Sequence, residues 1–281
     1  MDTANTPEFL HHYTNQAGFL GILQSNSVWA TKIHYLNDSS EYELALALAR
    51  GILEKRSTLA TSEEMRTKVS CLMDNLTSIA NLNVCVCSFS AAGDLLSQWR
   101  AYAGHAGVCL TLKRLELEAR ASDQGFRLAQ CVYDESEQAK LLEYLVDDCL
   151  SQDFYTGPSY VSSTDTNADF ALRTGGDFAI RFAQIAPLIK SSAFREEAEW
   201  RLVSNGGINF DRMSFRSGRS FIIPYLPIIL GTKISAYLQS VTIGPTPHPD
   251  LARNAVFAFL ASCKVADSVV VYGSKVPYRS W

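Results

Sequence analysis

The sequence predicts an α+β fold: a mixed or mainly antiparallel sheet, with helices carried in long insertions. Three observations lead there. Short apolar or alternating runs of strand length recur along the chain, as at 9–14, 83–90 and 198–203. Long stretches with helical spacing separate them, and two follow one another at about 41–55 and 63–79 with no strand between. Apolar residues make up 47% of the 281, enough to bury a full core.

The elements follow in order. Residues 9–14 (Phe-Leu-His-His-Tyr-Thr) read as a first strand, and 15–18 as a turn. Phe19, Leu20, Ile22 and Leu23 have the spacing of a short helix, and 28–33 read as extended. Asn37 to Ser40 form a loop in which Ser39 or Ser40 caps the next helix, while Ser62 caps the one after. Residues 83–90 are a buried strand ending in hydroxyls, 94–103 are polar and aromatic, and 107–112 return as a strand. A strand at 126–133 precedes an amphipathic helix at 135–150. The Ser/Thr/Gly-rich run 153–165 reads as a loop, an internal boundary or a mobile lid, and 170–189 as helical. Strands are expected at 198–203, 214–224, 241–244 and 267–272, with a helix at 249–261. One domain over 1–281 is expected, with helical insertions at about 40–80 and 135–190.

Composition narrows the function classes. A net charge of −4 supplies no general drive toward nucleic acid or anionic membrane. No apolar run approaches the roughly 20 residues needed to span a bilayer, and the polar start at Met1 to Glu8 does not read as a signal peptide. Seven cysteines without a Cys-x-x-Cys read as reduced core thiols, so a cytoplasmic protein without bound metal is expected. Cys85 and Cys87 share a strand face and read as core. The dinucleotide-binding glycine pattern, the phosphate loop, the nucleophile elbow and the helical zinc motif are all absent from the sequence.

The stretch with most chemistry is 194–203, Phe-Arg-Glu-Glu-Ala-Glu-Trp-Arg-Leu-Val. Read as a strand from Ala198, it puts Glu197, Glu199 and Arg201 on one face and Ala198, Trp200 and Leu202 on the other. Such a face is either a solvated ladder or the floor of a polar cleft. Two carboxylates on one strand face cannot flank a bond from opposite sides, so two-carboxylate glycoside hydrolysis needs Asp94 or Asp38 as partner. His12 and Thr14 share a face of the first strand and can hold a ribose diol or an amide; taken alone, a histidine satisfied by a backbone carbonyl is the commoner case. Ser88 and Ser90 flank Phe89 on another strand, where they either line a cleft or satisfy turn amides. Trp99, Arg100 and Tyr102 form an aromatic-cation group able to stack on a base and grip a phosphate, or a core anchor beside a surface arginine.

Taken together these residues resemble a bacterial family known only as a domain of unknown function. The landmarks are His12 to Thr14, Trp29 to Thr31, Tyr35 to Asp38 with Glu41, Ser88 to Ser90, Ser97 to Tyr102, Glu197 to Arg201, Ile243 to Pro245 and Ser274 to Arg279. The same landmarks resemble a distant ADP-ribosyltransferase pattern: a His on a first strand, Ser-x-Ser on a second and Glu-x-Glu on a later one. That resemblance implies a split mixed sheet clamping NAD as substrate. His12 would hold the nicotinamide ribose and Ser90 brace the cleft. Glu199 would stabilise the oxocarbenium-like transition state, and Glu197 orient or deprotonate a macromolecular acceptor, protein or nucleic acid. Tyr13, Trp99 or Tyr102 would stack on nicotinamide, and Arg100 would hold a phosphate. NAD hydrolysis, and use as an intracellular toxin or defence effector, belong to the same reading. Two others stand beside it: a non-catalytic module binding a nucleotide or protein, and a nucleic-acid enzyme using Arg100, Arg195 and Arg201.

Overall fold

The structure is a computed structural model describing residues 6–36, 40–79, 84–152, 178–205, 208, 210–218, 220–231 and 233–277. The strands are β1 (Phe9–Thr14), β2 (Ser27–Lys32), β3 (Cys85–Ser90), β4 (Val108–Lys113), β5 (Phe126–Gln130), β6 (Glu199–Ser204), β7 (Ser214–Ser217), β8 (Ile222–Ile229), β9 (Leu238–Ile243) and β10 (Val270–Gly273). The helices are α1 (Gln16–Ser25), α2 (Ser40–Leu59), α3 (Glu63–Ile79), the single turn α4 (Leu96–Gln98), α5 (Arg114–Ser122), α6 (Glu135–Ser151), α7 (Phe178–Ile185) and α8 (Pro249–Ser262). The class is α+β, with a mostly antiparallel open sheet. The expected Asn37 to Ser39 loop, the 153–165 loop, the start of the 170–189 helix and the Tyr278-Arg279 end lie outside the described residues.

Ten strands join one sheet among the described residues, in the order β10-β9-β4-β1-β3-β2-β8-β7, with β6 and β5 branching from β3. The branch follows from three pairings on one strand. β6 runs along β3 from Val86 to Ser90. On the other edge, β1 meets β3 only at Ser90, opposite His11. β2 meets it only at Val86 and Cys85, opposite Thr31 and Lys32. The sheet therefore forks along that edge of β3, and α1 connects the two prongs.

Alternation sorts the strand side chains onto two faces. One carries Leu10, Cys85, Cys87, Phe89, Leu110, Leu112 and Leu202, packed with Phe19 and Ile22 of α1, Leu117 of α5 and Leu260 of α8. The other carries Val86 and Val203 under α2, α3, α6 and α7. Further along this second face Tyr13 and Cys109 pack with Trp99 and Ala103. A polar seam between these two apolar patches holds His11, Ser88, Ser90, Glu199 and Arg201.

Local signals explain most elements. Ser62 caps α3 through the Met65 amide (3.1 Å), as expected. Asp134 caps α6 by accepting from the Ser136 and Glu137 amides. α5 was not expected, because Arg-Leu-Glu-Leu-Glu alternates like a strand; its Leu117 and Ala121, four apart, form the buried helical face.

Candidate functional site

The approach to β6 departs from the expected strand. Ser192–Glu197 is a 3-10 helix whose first turn is capped by Ser191. Ala198 then sits in the left-handed region at φ 43, and the strand begins only at Glu199. Glu197 is therefore not a strand residue, because the left-handed kink at Ala198 breaks the alternation before it. The kink is clamped to the end of β3: the Ser90 hydroxyl donates to the Glu197 carbonyl (2.7 Å) and the Ala91 amide to the Ala198 carbonyl (2.9 Å).

The two glutamates nevertheless converge, on a lysine. The Lys190 ammonium donates to Glu197 Oε2 at 2.7 Å and to Glu199 Oε2 at 2.5 Å. Arg201, two residues along the same strand face, donates from Nε to Glu199 Oε1 (2.7 Å) and from Nη2 to Oε2 (2.9 Å). Its Nη1 donates to the Pro187 carbonyl. All four side chains are buried: Lys190 is 2% exposed, Glu197 7%, Glu199 4% and Arg201 3%. Two positive and two negative groups balance, as burial of charge requires.

The backbone around this quartet is fixed. The Lys190 amide donates to the Val132 carbonyl, and Gln138 donates to the carbonyls of both Val132 and Lys190. The Glu199 amide donates to the Tyr133 hydroxyl at 2.8 Å. Burial alone would raise the Glu199 carboxyl; Arg201 and Lys190 outweigh it and hold it at about 2. At the rim the Tyr102 phenol, 37% exposed, is pushed up to about 12 by burial and then by Glu197 and Glu199. Phe194 lies under the Lys190 ammonium, 5.0 Å from centroid to nitrogen.

Register decides which histidine joins the site. His11 is paired with Ser90, and Ser90 with Glu199, so these three stand in one row across β1, β3 and β6. His12 points to the other face. Its Nδ1 lies 2.9 Å from the Ser88 carbonyl, and its ring packs on Phe89 at 5.5 Å. The imidazole thus donates to a backbone carbonyl at the fork, and burial lowers its pKa. The expected grouping of His12 with Ser90 and Glu199 is not what the strands produce, because β1 meets β3 one residue earlier. His11 lies 3.1 Å from the Thr111 hydroxyl, and burial lowers its pKa to about 4. A Cβ on Gly93 would meet its ring at 2.7 Å, so the turn after β3 lies directly over it.

The other predicted residues separate. Thr14 shares the face of His12 and packs its hydroxyl against Gly18. Ser88 faces Arg201 in register. Tyr13 and Trp99 are core anchors, 6% and 1% exposed, edge-on at 4.8 Å, so neither offers a stacking surface. Tyr13 donates to the Ala92 carbonyl and accepts from the Leu95 amide. Asp94 accepts from Trp99 Nε1 (2.7 Å), the Ser274 hydroxyl (2.6 Å) and the Lys275 amide (2.8 Å). Arg100 and Tyr102 stand outward on the π-helical turn 99–103. Arg195 is exposed and lies over the Tyr133 ring, whereas Arg201 is buried against Glu199. Lys190, His11 and Tyr133 were not singled out from sequence. A lone lysine closing the apolar run 185–189 was the available signal, since lysine is seldom buried without an acidic partner.

Residues 98–202 match a family model described as a protein of unknown function, DUF2971. The chain is similar to that family over this stretch. It runs from the Trp99 turn to β6 and includes Lys190, Glu197, Glu199 and Arg201, while His11 and Ser90 precede it. No curated protein matches the chain. No group of three or more His, Cys, Asp or Glu suited to a metal ion occurs among the described residues. No helix among them is long and apolar enough to cross a membrane.

Proposed function

We propose that this chain is an NAD-using enzyme of ADP-ribosyltransferase type, acting on a macromolecular acceptor or on water. The observation that carries the reading is the row His11, Ser90, Glu199 on three adjacent strands beside a fork in the sheet. It supplies a histidine, a hydroxyl and a carboxylate in the chain order that the resemblance implies, with His11 in place of His12.

In this reading the bond between the nicotinamide ring nitrogen and ribose C1′ breaks, and its electron pair leaves with neutral nicotinamide. Positive charge develops on the ribose, and the ionised Glu199 stabilises it. A nucleophile from the acceptor or water then bonds to C1′ and gives up its proton, with Glu197 or solvent as base. His11, neutral near pH 7, orients the ribose, and Arg100 and Tyr102 form the outer wall for phosphate and ring.

A second reading, a module that binds a nucleotide or protein without turning it over, is favoured by one observation. Lys190 and Arg201 already engage both Glu199 oxygens, as in a purely structural ion network. Incubation with NAD labelled in both halves, alone and with cell lysate, separates the two. The enzyme reading expects nicotinamide release that Glu199→Gln abolishes, compared where the variant is folded by circular dichroism. Saturable NAD binding without release supports the module, and neither binding nor release refutes the enzyme reading.

A further inference from the structure

We propose that Lys190 is the positioning residue of this site. It sets the charge and the aim of Glu199 for the ribose, an inference that rests on the NAD reading above. One ammonium nitrogen bridges two carboxylates, at 2.7 Å to Glu197 and 2.5 Å to Glu199. A lysine carries a compact point charge with three donors on one atom, which suits it to sit between two carboxylate oxygens.

The segment around Lys190 is built to hold that nitrogen still. Its amide and carbonyl are tied to Val132 and Gln138, its ammonium rests over the Phe194 ring, and the side chain is 3% exposed. The groups facing Glu199 are Lys190, Glu197, Arg201 from its own strand, Tyr133 from beyond β5, and Tyr102 from the π-helical turn. Arg201 orients the carboxylate from within the strand. Lys190 reaches it from outside β6 and ties it to Glu197, so it sets the distance between the group that stabilises the ribose and the group that receives the acceptor proton.

Two variants separate charge from geometry. Lys190→Gln keeps a donor and removes the charge. The acid limb of nicotinamide release should move up by at least one pH unit, and the Glu199 carboxyl carbon, followed by NMR, should titrate at the same higher pH. Lys190→Arg keeps the charge, but spreads it over a larger planar fork that changes the spacing and angle of the contacts to both carboxylates. Its acid limb should stay in place, while kcat falls about tenfold at near-constant KM. This second variant decides the matter if the first does not fold. An unmoved acid limb in folded Lys190→Gln, or wild-type kcat in Lys190→Arg, overturns the proposal. Failure of the NAD reading looks different: the wild-type protein itself would release no nicotinamide, while the carboxyl titration would still report whether Lys190 holds Glu199 ionised.

Discussion

His11 and Glu199 lie on the same face of the sheet, each the cross-strand partner of Ser90. Partners in adjacent antiparallel strands have Cβ atoms about 5 Å apart, so the imidazole and the carboxylate arise about 10 Å apart with the serine between them. With His11 in register with Ser90, period-two alternation turns the neighbouring His12 to the other face.

The quartet makes stability depend on pH. The Glu199 carboxyl is held at about 2 against an ordinary 4.5, so its folded pKa is depressed. Its contribution is present above about 4.5 and is lost as pH falls toward about 2. His11, depressed from 6.5 to about 4, acts in the same direction over a higher window. The unfolded chain takes up its proton first, so stability falls from about pH 6.5 to pH 4. Urea midpoints across pH 7 to 3 should show a decline beginning above pH 6, and His11→Gln should flatten its upper part.

Removing one partner from the quartet leaves a buried charge uncompensated. Glu199→Gln sets Lys190 and Arg201 against Glu197 alone, and the expected cost is about 3–5 kcal/mol. Chemical denaturation reads this directly. A loss under 1 kcal/mol would mean that water reaches the cluster.

Asp94 holds the Trp99 turn to the segment after β10 by accepting three hydrogen bonds. Hydrogen bonds to a charged group contribute about 1.5–3 kcal/mol each in isolation, and they are not additive. Asp94→Ala should cost about 3 kcal/mol and increase the tryptophan fluorescence change on mild denaturation. The affected ring is then Trp99, which is only 1% exposed in the native fold.

Ala198 adopts φ 43 between the 3-10 turn and β6, a conformation that costs a residue with a Cβ about 1–2 kcal/mol. Ala198→Gly should leave stability unchanged or raise it by up to about 1 kcal/mol, because relief of strain opposes the added freedom of the unfolded chain. Ala198→Val should destabilise. Equal stability of Gly and Val variants would show that the kink is not retained in solution.

Much of this architecture was legible in the sequence, and the losses have physical causes. Strand-length apolar runs located β1, β3 and β6 closely, and helical periods located α3 and α6. Cys85 and Cys87 belong to the core, as their apolar neighbours implied. The fork was not legible from residue patterns, since it depends on where β1 and β2 leave β3. The choice between His11 and His12 depends on that same register, so adjacent histidines could not be distinguished. Lys190 was missed because pairing over seven and nine residues through a turn leaves no periodic trace. Trp99 had been expected either to line a cleft or to anchor the core, and Tyr13 to stack on nicotinamide; the fold uses both as anchors.

The alignment of His11 with Ser90 and Glu199 is the central claim, and a pair of single variants tests it most directly. Nicotinamide release from NAD would be measured for folded His11→Ala and His12→Ala at equal protein concentration. The account predicts that His11→Ala loses at least a hundredfold in kcat/KM, while His12→Ala, on the far face, changes stability more than rate. The reverse order, with His12→Ala inactive and His11→Ala near wild type, would contradict it.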